Sequence, residues 1–490
     1  MYITEQDLAN LKIQTEGNRQ ITLILQDLIK DDEKAKADMQ AGIEYFDGDH
    51  KIKDRKITYI IDGVSTEDLT KANNKIANPF LAYIVEQKAN YIAGNPISIT
   101  PDDEEFAQVF NDARSDKFDE LMIDYIRQAS FKGYEVLHPF INERGEFDNV
   151  IIPAEQCILI YDGKFKRDLI ALIRYYLMTF VYADGTEDTR YKVEWWTAED
   201  VTFYVQTKNG DYELDADEPV NPRPHFQISV KSVGKTIDSN GGGWGRIPFI
   251  VLKNNTKFQS DLKKIKALID DYDLNMSDFS NSLTDLQEAF YVLKGYDGEK
   301  LSEFVHNLKT YHACKVDGED AGITVERAEI PHDPRDSHLD RLHENIFFFG
   351  QGVDPTNDAF GNSPSGIALK WLFMPMEIKC NGIMRSASIA IKELLWFYAE
   401  YMKQTQRKNF DATPNKIKVV FNVNLLVNET ELIENCQNSK GVSDLETIVA
   451  RHPWNTNPKE TLLKLKTEVL ELAAADSNQD DQNQDDNGGI

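Results

Sequence analysis

One helical stripe constrains this chain more than any other feature. Between Ser260 and Phe290 the apolar residues Ile265, Ile269, Tyr272, Met276, Phe279, Leu283, Leu286 and Phe290 recur at gaps that alternate between four and three. That spacing predicts one seam along a helix of about thirty residues, roughly 45 Å long at 1.5 Å per residue. The other faces carry Asp261, Lys263, Lys264, Asp270, Asp271, Asp273, Asn275, Asp278, Asn281 and Asp285. They are expected to stay wet while the stripe is buried. Burial is favourable by roughly 1.5 to 3 kcal/mol per side chain before entropy is subtracted, so the stripe needs a partner. A coiled-coil dimer or an ordinary domain core would also meet that need.

A partner lies downstream. Asp336 or Ser337 is placed to cap a second helix with Leu339, Leu342, Ile346 and Phe349, ended by Gly350 at the left-handed cap position. Between the two helices, Tyr291-Val292-Leu293 and Ile323-Thr324-Val325 read as strands and Asp297-Gly298 and Asp317-Gly318 as turns. This predicts a small module at the tip of a helical pair. A loop from Gly350 to Asn362 comes next, and Ser363-Pro364 opens another long helix that Pro375 should bend. Its apolar periodicity resumes at Ile389, Leu394, Leu395, Phe397, Tyr398 and Tyr401.

At 490 residues, 41% of them apolar, the chain is long enough for two to four lobes with real cores. It has no run of eighteen apolar residues, and Met1 to Asn10 lack the pattern of a signal peptide, so a soluble, non-secreted protein is expected. Four scattered cysteines (Cys157, Cys314, Cys380, Cys436) fit a reducing compartment and neither a disulfide framework nor a zinc cluster. The net charge of -28 argues against gripping DNA by phosphate neutralisation. It does not argue against a passage for DNA, because a lysine sleeve would hold a sliding polyanion.

Along the chain, residues 1 to about 40 read as helical, with Ile21, Leu25, Leu28 and Ile29 on one face. After them come a turn-rich passage from Tyr45 to His50, a β-like run at Ile57 to Ile61 and a helix carrying Ile84, Val85, Lys88 and Tyr91. From Ile97 to about Ile250 strand-like runs dominate, apart from a helix across Lys117 to Phe131, which predicts an antiparallel β-rich lobe. Asp238 to Gly245 and Asp411 to Asn415 read as boundaries, and the tail from Asp476 as disordered. A strand at Ile417 to Val423 and three helical stretches lie between the second boundary and the tail.

Motifs that carry chemistry are mostly missing. Gly234-Lys235-Thr236 resembles the end of a phosphate loop, but Ser229 stands where glycine is required, so a strand-end turn is the better reading. His306, His312, His332, His338 and His343 form no HExxH pattern. Asp333, Asp336 and Asp340 would suit a nuclease metal site, yet a helix start favours acids without any metal. No metal and no cofactor is expected.

Several words in the sequence go further. They are Tyr45-Phe46-x-Gly48-x-His50-x-Ile52; Asn73-Asn74-Lys75-Ile76 with Pro79-Phe80; and Val85-Glu86-x-Lys88 with Tyr91-Ile92-x-Gly94-Asn95-Pro96. Further on come Asp270-Asp271-Tyr272-Asp273, Val292-Leu293-Lys294-Gly295-Tyr296, Gly350-Gln351-Gly352-Val353-Asp354, and Phe360-Gly361-Asn362 with Ser365-Gly366-Ile367-Ala368-Leu369-Lys370. In this order, from about residue 40 to 470, they resemble the siphophage-type portal proteins of tailed double-stranded DNA bacteriophages.

The resemblance implies an α+β fold with a β-rich wing (1–258), long antiparallel stem helices (259–290 and 335–349) and a small α/β clip (291–334). It also implies a tunnel loop (350–363), a kinked wing helix (364–384), a helical crown (385–475) and an acidic tail (476–490). The assembly implied is a homo-oligomer, a dodecamer at the capsid portal vertex of the virion, built in the host cytoplasm. It would be a non-enzymatic head-tail connector for packaging and ejecting double-stranded DNA. The implied partners are the terminase large subunit, a head-completion or adaptor protein, and the major capsid and scaffolding proteins, with no membrane. The DNA-facing residues would be Gln351, Gly352, Val353, Asp354, Thr356, Asn357 and Asp358, among which there is no Lys or Arg. Twelve copies would carry 12 × -28 = -336 formal charges. The rival readings are a metal-dependent DNA-processing enzyme and a scaffolding or minor capsid protein.

Overall fold

The computed structural model describes residues 2–3, 18–61, 63–69, 71–114, 116–163, 168–181, 184–232, 235–285, 290–294, 322–326, 332–356, 366–423, 429–455 and 461–467. They form an α+β protein that divides into two compact units, Met1–Val353 with Ile378–Val423 and Asp354–Glu377 with Asn424–Ile490. No helix among the described residues is long and apolar enough to cross a membrane.

The first unit begins with β1 (Tyr2–Ile3), α1 (Asn18–Phe46), the hairpin β2 (Thr58–Ile61) and β3 (Val64–Glu67), α2 (Phe80–Ala93), β4 (Ser98–Pro101), α3 (Glu104–Ala113) and α4 (Asp116–Lys132). It continues with strands β5 (Tyr134–Ile141), β6 (Phe147–Ile152), β7 (Cys157–Asp162), β8 (Leu169–Val181), β9 (Glu187–Trp196) and β10 (Asp200–Gln206). After them come β11 (Tyr212–Leu214), β12 (Arg223–Pro224), β13 (Phe226–Ser232), β14 (Lys235–Gly242) and β15 (Ile250–Lys253). Then come α5 (Lys266–Asp285), β16 (Phe290–Lys294), β17 (Gly322–Glu326) and α6 (His332–Gly350). Helix α7 (Gly366–Gln406) runs from the second unit into the first, which ends at β18 (Ile417–Val420). The second unit adds α8 (Glu429–Asn438) and α9 (Leu445–Arg451).

Cys157-Ile158-Leu159-Ile160 is apolar at every position, and such a strand must be covered on both faces. It lies in a seven-stranded sheet of order β1-β7-β8-β9-β10-β11, with β12 on β10; β1 pairs parallel and the rest antiparallel. Ile158 and Ile160 face α1 and pack with Ile21, Leu25, Leu28, Ile173, Val193 and Trp195. Cys157 and Leu159 face the other way, against Tyr134, Leu172, Trp196, Phe203 and Phe249. The second face is covered by the three-stranded sheet β15-β5-β6. Each fully buried aliphatic side chain here is worth about 1.5–3 kcal/mol.

Several expectations change. Helix α1 continues through Tyr45 and Phe46, because Tyr45 is buried and Phe46 stacks on Phe131 at 4.4 Å. Helix α3 was not anticipated; Asp103 caps it by accepting from the Phe106 amide. The glycines at 241–245 are no flexible boundary. Gly241 and Gly242 close the strand paired with β13, a Cβ at Gly243 would stand 2.6 Å from the Glu199 Cα, and Trp244 is buried edge-on to Phe397 at 5.6 Å. The stretch near Ala412 is likewise packed: Ala412 is buried and β18 pairs with β4. Helix α7 holds Pro375 within its span, where the sequence placed it.

Candidate functional site

The predicted rod is shorter than its seam. A 3-10 turn at Asp261–Lys264 precedes α5, which has 20 residues, and Phe290 heads β16 and pairs with Glu326. Ile265 and Ile269 are fully buried with Ile346, Phe347, Leu81 and Ile84. Tyr272, Met276 and Phe279 are half-buried, and Leu283 is 49% exposed. Leu286 lies outside the described residues. The seam is therefore closed at its base and open along its outer part.

Helix α6 supplies the facing surface with Leu339, Leu342 and Ile346, all buried. It starts at His332, ahead of the expected cap at Asp336 or Ser337. It runs antiparallel to α5: Arg335 donates to Ser282 at 3.5 Å, His338 meets Asp271 at 3.1 Å, and Ile346 packs beside Ile265. Phe349 is 49% exposed, and Phe347 takes the buried place instead, edge-on to Phe80.

A second correction concerns the polar face of α5. Asp273, Ser277 and Asn281, one helical turn apart, are all buried. They accept hydrogen bonds from a segment, residues 72–79, that belongs to no helix or strand. The amides of Asn78, Ile76 and Asn74 donate to Asp273, Ser277 and Asn281 at 2.9, 3.0 and 2.6 Å. His50 Nδ1 lies 2.5 Å from the other Asp273 oxygen, and the Asn78 side chain adds a bond of 2.8 Å. The match is geometric. Two residues of extended chain advance about 6.6 Å and four residues of helix about 6.0 Å, so every second amide meets every fourth side chain. Asp273→Ala should leave buried donors unpaired at about 1–3 kcal/mol each and speed hydrogen exchange at Asn74, Ile76 and Asn78. Unchanged protection of those amides would remove the ladder from the account.

Below the helix pair sits a buried charge node. Asp261 lies 3.1 Å from the Lys88 ammonium and 2.9 Å from that of Lys379, and Asn254 donates to its other oxygen at 2.9 Å. Burial alone would raise the Asp261 carboxyl; Lys379 and Lys88 outweigh it and hold it at about 2. Burial lowers the Lys88 ammonium from its usual range, and Asp261 works against that shift. Lys379 also donates to the Gly350 carbonyl at 2.8 Å, at the end of α6 where unpaired carbonyls concentrate negative charge. The node ties α2, the start of α5, the end of α6 and α7 together.

Gly350 is not in the left-handed conformation; Gln351 is, with φ 55°. Positions 350 and 352 are close-packed instead: a Cβ at either would stand 2.8 Å from an Ile84 side-chain carbon, which would have to shift. Val353 does not project as expected. It is 7% exposed, its amide donates to Gln87 Oε1 at 3.0 Å, and Gln87 Nε2 donates back to its carbonyl at 2.8 Å. Beyond it Asp354 forms a turn, accepting from the Thr356 amide and hydroxyl at 2.9 and 2.7 Å. Asn357 and Asp358 lie outside the described residues.

Sequence comparison decides what such a helix pair, node and anchored loop belong to. The family model described as "Phage portal protein, SPP1 Gp6-like" matches residues 25–482. The chain belongs to this family. It is 33% identical over 471 residues to the portal protein of Bacillus phage SPP1, covering 95% of this chain and 90% of that one. To the portal protein of Clostridium phage phiCD119 it is 28% identical over 431 residues, covering 85% and 89%. Among solved structures, a chain titled "Neck of native GTA particle computed with C12 symmetry" aligns over 76% of this chain and 88% of its own. Its TM-score is 0.36 and its identity 12%, too distant to carry an argument.

Two of the words that carried the portal resemblance meet in space: His50 lies against Asp273, which also accepts from Asn78, a residue outside the quoted words. The node was missed. Its signal was Lys88, a cation in a helix otherwise packed through Ile84, Val85, Tyr91 and Ile92. Gln87, the clamp on Val353, left no signal in the sequence.

Proposed function

We propose that twelve copies of this portal-family chain form a ring at one capsid vertex, with a central channel for packaging and ejecting double-stranded DNA. Membership of the portal family across residues 25–482 is the observation that carries this reading. In it residues 1–258 and 364–384 form the wing, 259–290 and 335–349 the stem, 291–334 the clip and 385–475 the crown. The clip docks the terminase large subunit during packaging and a head-completion protein afterwards, and major capsid and scaffolding proteins surround the ring. The ring performs no chemistry; terminase supplies the ATP hydrolysis, and the finished particle is a virion assembled in the host cytoplasm.

The loop from Gln351 to Asp358 faces the passing duplex. Val353 serves as its anchor, and Asp354, Thr356, Asn357 and Asp358 as its DNA side. None carries positive charge, so a duplex touches them without a phosphate clamp. Purified protein viewed in negative stain should show rings with an axial hole. Asp354→Lys with Thr356→Lys should leave rings intact and abolish most DNA packaging, because two added cations per subunit grip phosphates. Compact monomers, or rings that package normally with both lysines, refute the assignment.

A further inference from the structure

A groove of about 500 Å³ opens beside the end of α6, lined by the segment 253–264, by Phe349 to Gln351 and by one side of α7. Five cationic side chains, Lys253, Lys263, Lys264, Lys379 and Arg385, line it against a single acid, Asp261, which the buried node already holds. On a chain of net charge -28 this concentration is against the trend. Lys264 and Arg385 are exposed and have no acidic partner among the described residues. The groove is also bare and apolar, with Phe349 at 49% and Ile389 at 67% exposure.

The complement lies on another face of α6. Asp340, Glu344 and Phe348 succeed one another at four-residue spacing, all exposed, Phe348 at 72%. No cation pairs with either acid among the described residues, and like charges one turn apart repel. Glu344 stands about 140° around the helix from Phe349, so the two surfaces point apart and cannot meet within one chain. In a ring every atom keeps its height from copy to copy. Along α6, Glu344 and Phe348 lie within about 9 Å of Gly350 and Asp340 about 15 Å from it, so along the helix they are offset from the groove by no more than those distances.

We propose that the groove takes the next copy of this chain, with Lys264 and Arg385 meeting the neighbour's Asp340 and Glu344, and Phe349 and Ile389 covering its Phe348. The contact is head-to-tail, the kind that closes a ring. The inference rests on the ring reading above. A duplex would find the cations but would gain nothing from the two exposed apolar side chains, Phe349 and Ile389, so a protein surface fits the groove better than nucleic acid does.

A charge swap tests it. One variant carries Lys264→Glu and Arg385→Glu, the other Asp340→Lys and Glu344→Lys; all four positions are exposed, so both should melt like the parent chain. At about 0.15 M salt, where surface charges are screened but still act over about 8 Å, each variant alone should run as a monomer in light scattering. Mixed in equal amounts they should form rings, because an alternating ring restores opposite charges at every contact. Rings from either variant alone, or monomers from the mixture, overturn the proposal. Normal rings that have lost duplex binding would assign the groove to DNA and overturn it too. If the parent chain itself forms no rings, the failure belongs to the ring reading instead.

Discussion

Replacing Asp261 with asparagine should lower the free energy of unfolding by about 3–5 kcal/mol, because it strips the charge partner from a buried ammonium. Lys88 is 1% exposed, and Lys379 would keep only the Gly350 carbonyl and neutral partners. The double variant Lys88→Met with Asp261→Leu should recover part of the loss, since it removes the most deeply buried ammonium together with its partner and leaves Lys379 on the Gly350 carbonyl. The pH dependence has a definite sign. A carboxyl held at about 2, below its ordinary 3.8, adds stability above 3.8 that disappears as pH falls through about 2. The gap between parent and Asp261→Asn should therefore narrow in acid. Urea midpoints measured at several pH values provide the check, and a loss under about 0.5 kcal/mol near neutrality, the range of ordinary surface substitutions, would mean the node is ornamental.

The second large effect separates the two ends of the seam. Ile269→Asp puts a carboxylate among Leu81, Ile84, Ile346 and Phe347 in a fully buried site. It should cost about 4 kcal/mol or more and leave little soluble folded chain. Ile269→Ala, the gentler version, should cost about 2–5 kcal/mol through the cavity it leaves. Leu283→Asp, on the same predicted stripe, should change the stability of the single chain by no more than about 0.5 kcal/mol, because Leu283 is 49% exposed. Similar losses at both positions would restore the uniformly buried rod. Denaturant titration under conditions where the parent is monomeric distinguishes these outcomes.

Periodicity located the helix pair, the strand runs of the β-rich lobe and the two short strands at residues 290–294 and 322–326, because those signals are local and repeat along the chain. It misjudged burial. Asp273 and Asn281 read as wet positions since a carboxylate or amide is costly inside a core, yet here the backbone amides of Asn78 and Asn74 donate to an Asp273 oxygen and to the Asn281 Oδ1. The glycines near 241 read as a flexible boundary because glycine frees the backbone. The same residues also permit close approach, and contact with Phe226 and Glu199 decides for the second use.

Of the candidate site, the residues from Gln351 to Thr356 were legible as a loop without cations, but not their direction. Val353 turns inward because Gln87, 266 positions away in the chain, offers both a donor and an acceptor to its backbone. By itself the sequence determined most of the helices and strands, the membership of the portal family and the charge character of the loop, all set by neighbouring residues or by ordered words. Only tertiary structure decided which stretch of the seam is covered, where the buried charge sits and which loop residue is the anchor. Burial and pairing depend on atoms that are far apart in sequence, and no local pattern encodes their meeting.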